Sequence, residues 1–177
     1  MTVTYIISQI LVAIAYIILG IGLRKEKRIQ ILSFSSIYQF LLMVSYILLS
    51  GIMGIISCMI SLSRNILFIF NEKNKKDNSK AILILFGIIA IVLTIIFYKE
   101  PIDIFPCILT LVGIYSYWNK NTKVTRLGNI IISTCWIIYS IHYKSWFLVI
   151  CESYLIINTF IGLLKYDIKN KKQKTNK

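Results

Sequence analysis

The chain has 177 residues, of which 57 % are hydrophobic and only 15 % charged, with a mean hydropathy of +0.75. A soluble domain carries about 25 % charged residues and needs them to cover its surface, so a soluble enzyme, a disordered chain and a disulfide framework are all excluded. The net charge of +13 sits in short loops between apolar runs and in a terminal tail, a topological pattern that points to anionic lipid and not to nucleic acid.

Seven apolar segments qualify as membrane helices, at about 5–23, 31–49, 52–70, 81–98, 103–118, 127–142 and 146–165. Their isoleucine content favours strands in water. In lipid every backbone N–H and C=O must be satisfied inside the segment, and no alternating ten-residue pattern suggests a barrel, so helices are expected. The fold class is an all-α polytopic bundle occupying residues 1–166, followed by a basic tail over 167–177. The first run lacks a basic leader and a small-residue cleavage site, and reads as a retained helix.

Orientation follows from Lys and Arg. The first loop holds Arg24, Lys25, Lys27 and Arg28; the third Lys73, Lys75, Lys76 and Lys80; the fifth Lys120, Lys123 and Arg126. The C-terminal end adds Lys165, Lys169, Lys171, Lys172, Lys174 and Lys177. Only Lys99 and Lys144 fall on the other side, so the N-terminus is expected outside and the C-terminus in the cytoplasm. Tyr5, Tyr98, Tyr143 and Trp146 read as an outer aromatic belt, and Trp118 and Tyr166 as an inner one.

The loop lengths repeat. Helices 1 and 2, and again 5 and 6, are joined by basic loops; helices 2 and 3, and again 6 and 7, by short ones at Ser50-Gly51 and Lys144-Ser145. Sliding the chain on itself by 93 residues brings Gly20 onto Gly113, Tyr46 onto Tyr139 and Asn65 onto Asn158. The expected layout is 3+1+3: a triplet over 5–70, a linker helix at 81–98 and a second, parallel triplet over 103–165.

Polar groups inside the spans are the candidate site. Arg64 in helix 3, beside Asn65, has two readings: a side chain that snorkels to the headgroups or serves structure, or a fixed charge facing the bundle interior in a ligand site, with Ser57 and Ser61 on its helical face. Glu152 is the acidic residue well inside a span. It must pair, be protonated or face water, which leaves a substrate or proton role open beside a structural hydrogen bond. Further stripes are Ser35, Gln39, Tyr46 and Ser50 in helix 2, Asn129, Ser133, Trp136 and Ser140 in helix 6, and Tyr154 and Asn158 in helix 7. Each reads as interhelical glue or as the lining of a path. Trp136 and Tyr139 are candidate stacking walls, while Asp103 and His142 read as solvated rim residues. One His excludes a multi-histidine metal site, and Cys58, Cys107, Cys135 and Cys151 read as small thiols within apolar runs. No catalytic motif is present, so neither an enzyme nor a cofactor is expected.

Tyr46-Ile47-Leu48-Leu49-Ser50-Gly51 leading into Arg64-Asn65, then Ile102-Asp103-Ile104-Phe105-Pro106, Arg126, Trp136-Ile137-Ile138-Tyr139 and Glu152, resemble the YgjV-type bacterial inner-membrane proteins over nearly the whole chain. The layout is similar to that of the SWEET and PQ-loop transporters. That kinship implies small-solute transport at the interface of the two triplets. The reading of the residues themselves is a bacterial plasma-membrane protein that binds or moves a small polar solute, with Arg64, Asn65, Glu152 and Asn158 in its polar interior and Trp136 and Tyr139 as stacking or packing walls. The chain departs from the PQ-loop pattern: Pro106 has Ala13 as its repeat partner, and no Pro-Gln pair occurs. The alternative is a non-transporting scaffold or envelope-stress protein. Partners expected on either reading are the bilayer and anionic lipid at the cytoplasmic loops, with an oligomer of the chain left open.

Overall fold

The computed structural model describes residues 3–50, 52–97, 104–142 and 144–168. Gly51, Tyr98, Lys99, Asp103, Tyr143 and the tail from Lys169 lie outside them. The described residues form seven α-helices: α1 (Val3–Leu23), α2 (Arg28–Leu48), α3 (Ile52–Lys73), α4 (Lys80–Phe97), α5 (Ile104–Trp118), α6 (Thr122–His142) and α7 (Trp146–Gly162). A π-helical turn, Leu163–Ile168, continues α7. Five of the helices are long and apolar enough to cross a membrane; α4 and α5 are apolar but shorter over their described residues.

The expected segments match these helices to within a few residues, with one informative exception. α6 starts at Thr122 and not at 127, so Arg126, expected in a loop, lies inside the helix and is fully buried. Arg28, also expected in a loop, opens α2 and is buried. Proline at position 106 falls in the first turn of α5, where the N–H it lacks would have had no helical partner.

The chain divides into two compact units, Met1–Lys76 and Asp77–Lys177. The division falls ahead of α4, which therefore belongs with the second unit and packs on α5. Helices adjacent in sequence pack together in both units, and α2 and α6 each touch the helix before and the helix after them.

Faces are sorted by lipid, not by water. On α1, Ile7, Ile10, Ile14, Ile17 and Ile21 are exposed at three- and four-residue spacing, while Ser8, Ala15, Leu19, Gly22 and Leu23 are buried behind them. α4 likewise exposes Ile84, Leu85, Ile88, Ile91, Val92 and Ile95 and buries Phe86 and Ala90. Lipid tails are as apolar as these side chains, so burying more of them gains little. Close approach and polar contacts hold the helices instead. In the first unit Ala15, Leu42 and Cys58 bring α1, α2 and α3 together, Tyr16 meets Tyr38 edge-on at 5.4 Å, and the Ser45 hydroxyl donates to the Ser8 carbonyl at 3.2 Å. In the second, the Thr125 hydroxyl donates to the Ser116 carbonyl at 3.0 Å, and Gly128 lies directly against Ser116.

The short connectors use a left-handed residue. Ser50 (φ 55°) follows α2 and Lys144 (φ 54°) follows α6, and Lys75 (φ 55°) ends α3 in the same way. After α3 the Lys76 N–H donates to the Asn71 carbonyl at 2.8 Å, and after α6 the Ser145 N–H donates to the Ser140 carbonyl at 2.8 Å. These six-to-one bonds satisfy carbonyls that the helix end leaves open.

Three substitutions test the turns and this packing by thermal unfolding in detergent. A non-glycine residue in the left-handed region costs about 1 kcal/mol, so Lys144→Gly is expected to stabilise the protein by about that amount. A methyl group on residue 128 would stand 2.5 Å from the Ser116 Cβ, so Gly128→Ala is expected to destabilise by about 1–3 kcal/mol, and Ser116→Gly in the same chain to recover most of the loss.

Candidate functional site

Each unit has a polar interior of its own. In the first, Asn65 on α3 is completely buried. Its side-chain amide donates to the Ser35 hydroxyl of α2 at 3.0 Å, and its oxygen accepts from the Arg64 guanidinium at 3.3 Å. Arg64 is only 5 % exposed. A snorkelling arginine shows its head to solvent, and this one does not. Ser61 is half-buried and Ser57 exposed, so the expected stripe below Arg64 is not uniformly interior.

In the second unit the helix 6 stripe is interior along its length: Asn129, Ser133 and Ser140 are buried and Trp136 half-buried. The Asn129 amide donates to the Thr125 carbonyl at 2.8 Å and to the Tyr117 hydroxyl of α5 at 3.2 Å. Trp136 and Tyr139 meet edge-to-face at 5.2 Å, so these two expected walls are in mutual contact. Glu152 and Asn158, on α7, are both buried. The Asn158 amide donates to the Tyr154 carbonyl at 2.6 Å, while its Oδ1 accepts no hydrogen bond among the described residues. In helix 2, by contrast, Ser35 is buried but Tyr46 and Ser50 are exposed, so that stripe turns outward along its length. His142 is an exposed helix-end residue, as expected of the rim.

Sequence reasoning missed a pair of buried ionic clasps. Arg28, at the first position of α2, pairs with Glu72 near the end of α3 and lies over the Phe68 ring at 6.0 Å. Arg126, in the first turns of α6, donates to Asp167 at 2.6 Å and lies over the Tyr166 ring at 5.6 Å. The other Asp167 oxygen accepts from the Thr122 hydroxyl at 3.3 Å. The wider winding of the π turn changes the angular position of Tyr166 and Asp167 relative to an α continuation, and the geometry it gives satisfies both carboxylate oxygens. In each unit a cation on the N-terminal part of one helix closes on an acid at the C-terminal end of the next. A cation at a helix N-terminus is disfavoured by the helix dipole, so the acid and the aromatic face have a definite cost to offset. The signal was present: acidic residues are scarce, and Glu72 and Asp167 lie 44 and 41 residues after the arginines they meet.

Residues 6–170 match the model of a family described as bacterial inner membrane protein, Imp-YgjV. The chain belongs to the Imp-YgjV family. No curated protein and no solved structure matches it. Membership makes the apolar helices those of a bacterial inner-membrane protein.

At the edge of the second unit, ahead of α4, the Trp118 indole N–H donates to the Asn78 carbonyl at 3.1 Å, and the Asn78 amide returns a bond to the Trp118 carbonyl at 2.8 Å. Beside them Lys120 meets Asp77 at 2.5 Å. The hydrogen bond from Lys120, and then its charge, hold the Asp77 carboxyl below the usual carboxylate range. The Cys58 and Cys151 thiols are buried and all four cysteines are free. Among the described residues no three His, Cys, Asp or Glu side chains converge as metal ligands.

The clasps make a stability prediction. Arg126 is fully buried and Asp167 nearly so, whereas Glu72 keeps about a quarter of its surface. Removing one partner strands the other, so Arg126→Ala is expected to cost about 3–5 kcal/mol in detergent unfolding. The double substitution Arg126→Met, Asp167→Leu is expected to recover most of it, because no charge is left behind. Glu72→Ala should cost less than Asp167→Ala.

Proposed function

We propose that this Imp-YgjV chain is a transporter-like protein that binds or moves a small polar solute, and that its two three-helix groups are repeats. On this reading all seven helices span, in a 3+1+3 layout akin to the SWEET and PQ-loop transporters, with the N-terminus outside and the C-terminus in the cytoplasm. The protein acts by binding, not by catalysis. Arg64 and Asn65 are the solute-binding residues of the first triplet, and Glu152 and Asn158 those of the second, with the Trp136–Tyr139 pair as a wall.

The observation that carries the reading is the pairing of like features in the two units. Each places a buried asparagine on its third triplet helix, Asn65 and Asn158, 93 residues apart. Each also has a left-handed residue after its second helix and an arginine–acid clasp between its second and third helices. Duplicated triplets with polar groups at membrane depth are a transporter architecture. Buried polar side chains are costly in lipid, and an acceptor left open, as at Asn158, costs about 1–3 kcal/mol. Retention of such a group is what a ligand-binding role would explain.

The test is thermal unfolding of detergent-purified protein against sugars, nucleosides, vitamins and amino acids. A ligand at about 100-fold its Kd stabilises by about 2.7 kcal/mol. Asn158→Leu removes the open acceptor, so it is expected to keep or raise the stability of the ligand-free protein while abolishing the ligand shift. Arg64→Ala and Glu152→Ala are expected to abolish the shift too. No shift across the panel, with Asn158→Leu less stable than the parent, would assign these groups to helix packing and favour a non-transporting scaffold.

A further inference from the structure

The second unit holds a cleft of about 260 Å³ that the solute reading leaves unused, lined by Asp77, Asn78, Trp118, Asn119 and Lys120. It lies where α5 ends at Trp118 and just ahead of the first residue of α4, Lys80. The ends of apolar helices mark the edge of the hydrocarbon region, and a tryptophan there sits at headgroup level with its ring toward the apolar side. The volume is below the roughly 300–1,000 Å³ of sites for drug-sized ligands, and suits a small polar group.

The charges narrow the class. Lys120 and Asp77 bring one cation and one anion to the same rim, and both remain open to solvent, with side chains 47 % and 92 % exposed. Ion pairs this exposed contribute little net stability, so a ligand can open this one at little cost. A ligand carrying only phosphate gains Lys120 but meets the Asp77 carboxylate. One carrying only an ammonium gains Asp77 but meets Lys120. A group with both charges answers both, and a primary ammonium also donates hydrogen bonds that a quaternary one cannot. Asn78 and Asn119 line the same cleft, but the Asn78 amide donates to the Trp118 carbonyl and the Asn119 oxygen accepts from the Asn121 N–H, so they frame the cleft while the two charges select the ligand.

We propose that this cleft is a binding site for a phosphoethanolamine group, presented by a phosphatidylethanolamine-type lipid, with phosphate on Lys120, ammonium on Asp77 and the Trp118 ring against the glycerol region. The site is independent of the solute reading, since it shares no residue with it.

The experiment is native mass spectrometry of the full chain released from mixed micelles with equal amounts of phosphatidylethanolamine, phosphatidylglycerol and phosphatidylcholine. The expected result is retention of phosphatidylethanolamine over each of the others by about fivefold, the scale of one exposed charge contact. Asp77→Asn should bring the ethanolamine-to-glycerol ratio close to one, and Lys120→Gln should lower both lipids together. Both positions are on the exposed rim, and a far-ultraviolet spectrum matching the parent's checks that the variants fold. Free phosphoethanolamine displacing the lipid would support recognition through the headgroup. Binding of the free compound without any lipid preference would overturn the lipid as its source. Equal retention of the three lipids by the parent chain, or a preference that survives Asp77→Asn, would overturn the site.

Discussion

A guanidinium with no path to water fixes much of what surrounds it. Arg126 is in that position: it is fully buried in a helix that exposes Ile131, Ile138 and Ile141. Its charge has to be answered inside the unit, and Asp167, Thr122 and the face of Tyr166 form the answer. The end of α7 is thereby specified in detail. Asp167 has to come level with the first turns of α6, and the helix gives up α winding over Leu163–Ile168 in the segment that delivers it. The same constraint in the other unit is met by Glu72, at the end of α3, with Phe68 one turn earlier beneath Arg28.

These clasps sit on hairpins already closed at the opposite end. α2 turns into α3 through the left-handed Ser50, and α6 into α7 through Lys144. Each hairpin is thus joined by a tight turn at one end and an ion pair at the other, and the helix that precedes it is added by hydroxyl-to-carbonyl bonds, Ser45 to Ser8 and Thr125 to Ser116. Such bonds contribute about 0.5–1 kcal/mol each in a membrane, so the assembly rests on several of them and on close packing at Gly22 and Gly128.

The helices themselves were legible because lipid leaves the backbone no alternative, and a run of apolar residues then sets each span without regard to isoleucine's strand preference. The interior stripe of α6, from Asn129 to Ser140, was legible from spacing alone. Arg126 and Arg28 were not, because the same residues serve two rules. A basic residue at the end of a span counts toward orientation, and nothing local distinguishes one that stays in the loop from one drawn inward by an acid some forty residues away. Arg64 was ambiguous for a related reason: its depth permits snorkelling, and only its burial beside Asn65 separates the readings. The placement of α4 was hidden for want of a polar mark that reaches a neighbour. Beyond Lys80 its polar side chain is Thr94, which bonds back to the Ala90 carbonyl of the same helix, and what ties its start to α5 is the Asn78–Trp118 bond pair just ahead of it.

Why keep buried charge when a well-packed apolar pair is often as stable? In a soluble bundle the hydrophobic effect holds helices together and side-chain shape selects the register. Here lipid competes on equal terms for every isoleucine, so an apolar seam between α6 and α7 would tolerate sliding by a turn at little cost. An ion pair with both carboxylate oxygens engaged does not. Moving α7 by one turn would carry Asp167 about 5 Å from Arg126 and leave two charges unanswered in a low-dielectric interior. The clasp therefore gives each hairpin a register more than it gives stability. A fixed register is what keeps buried polar groups such as Asn65 and Asn158 at a constant depth.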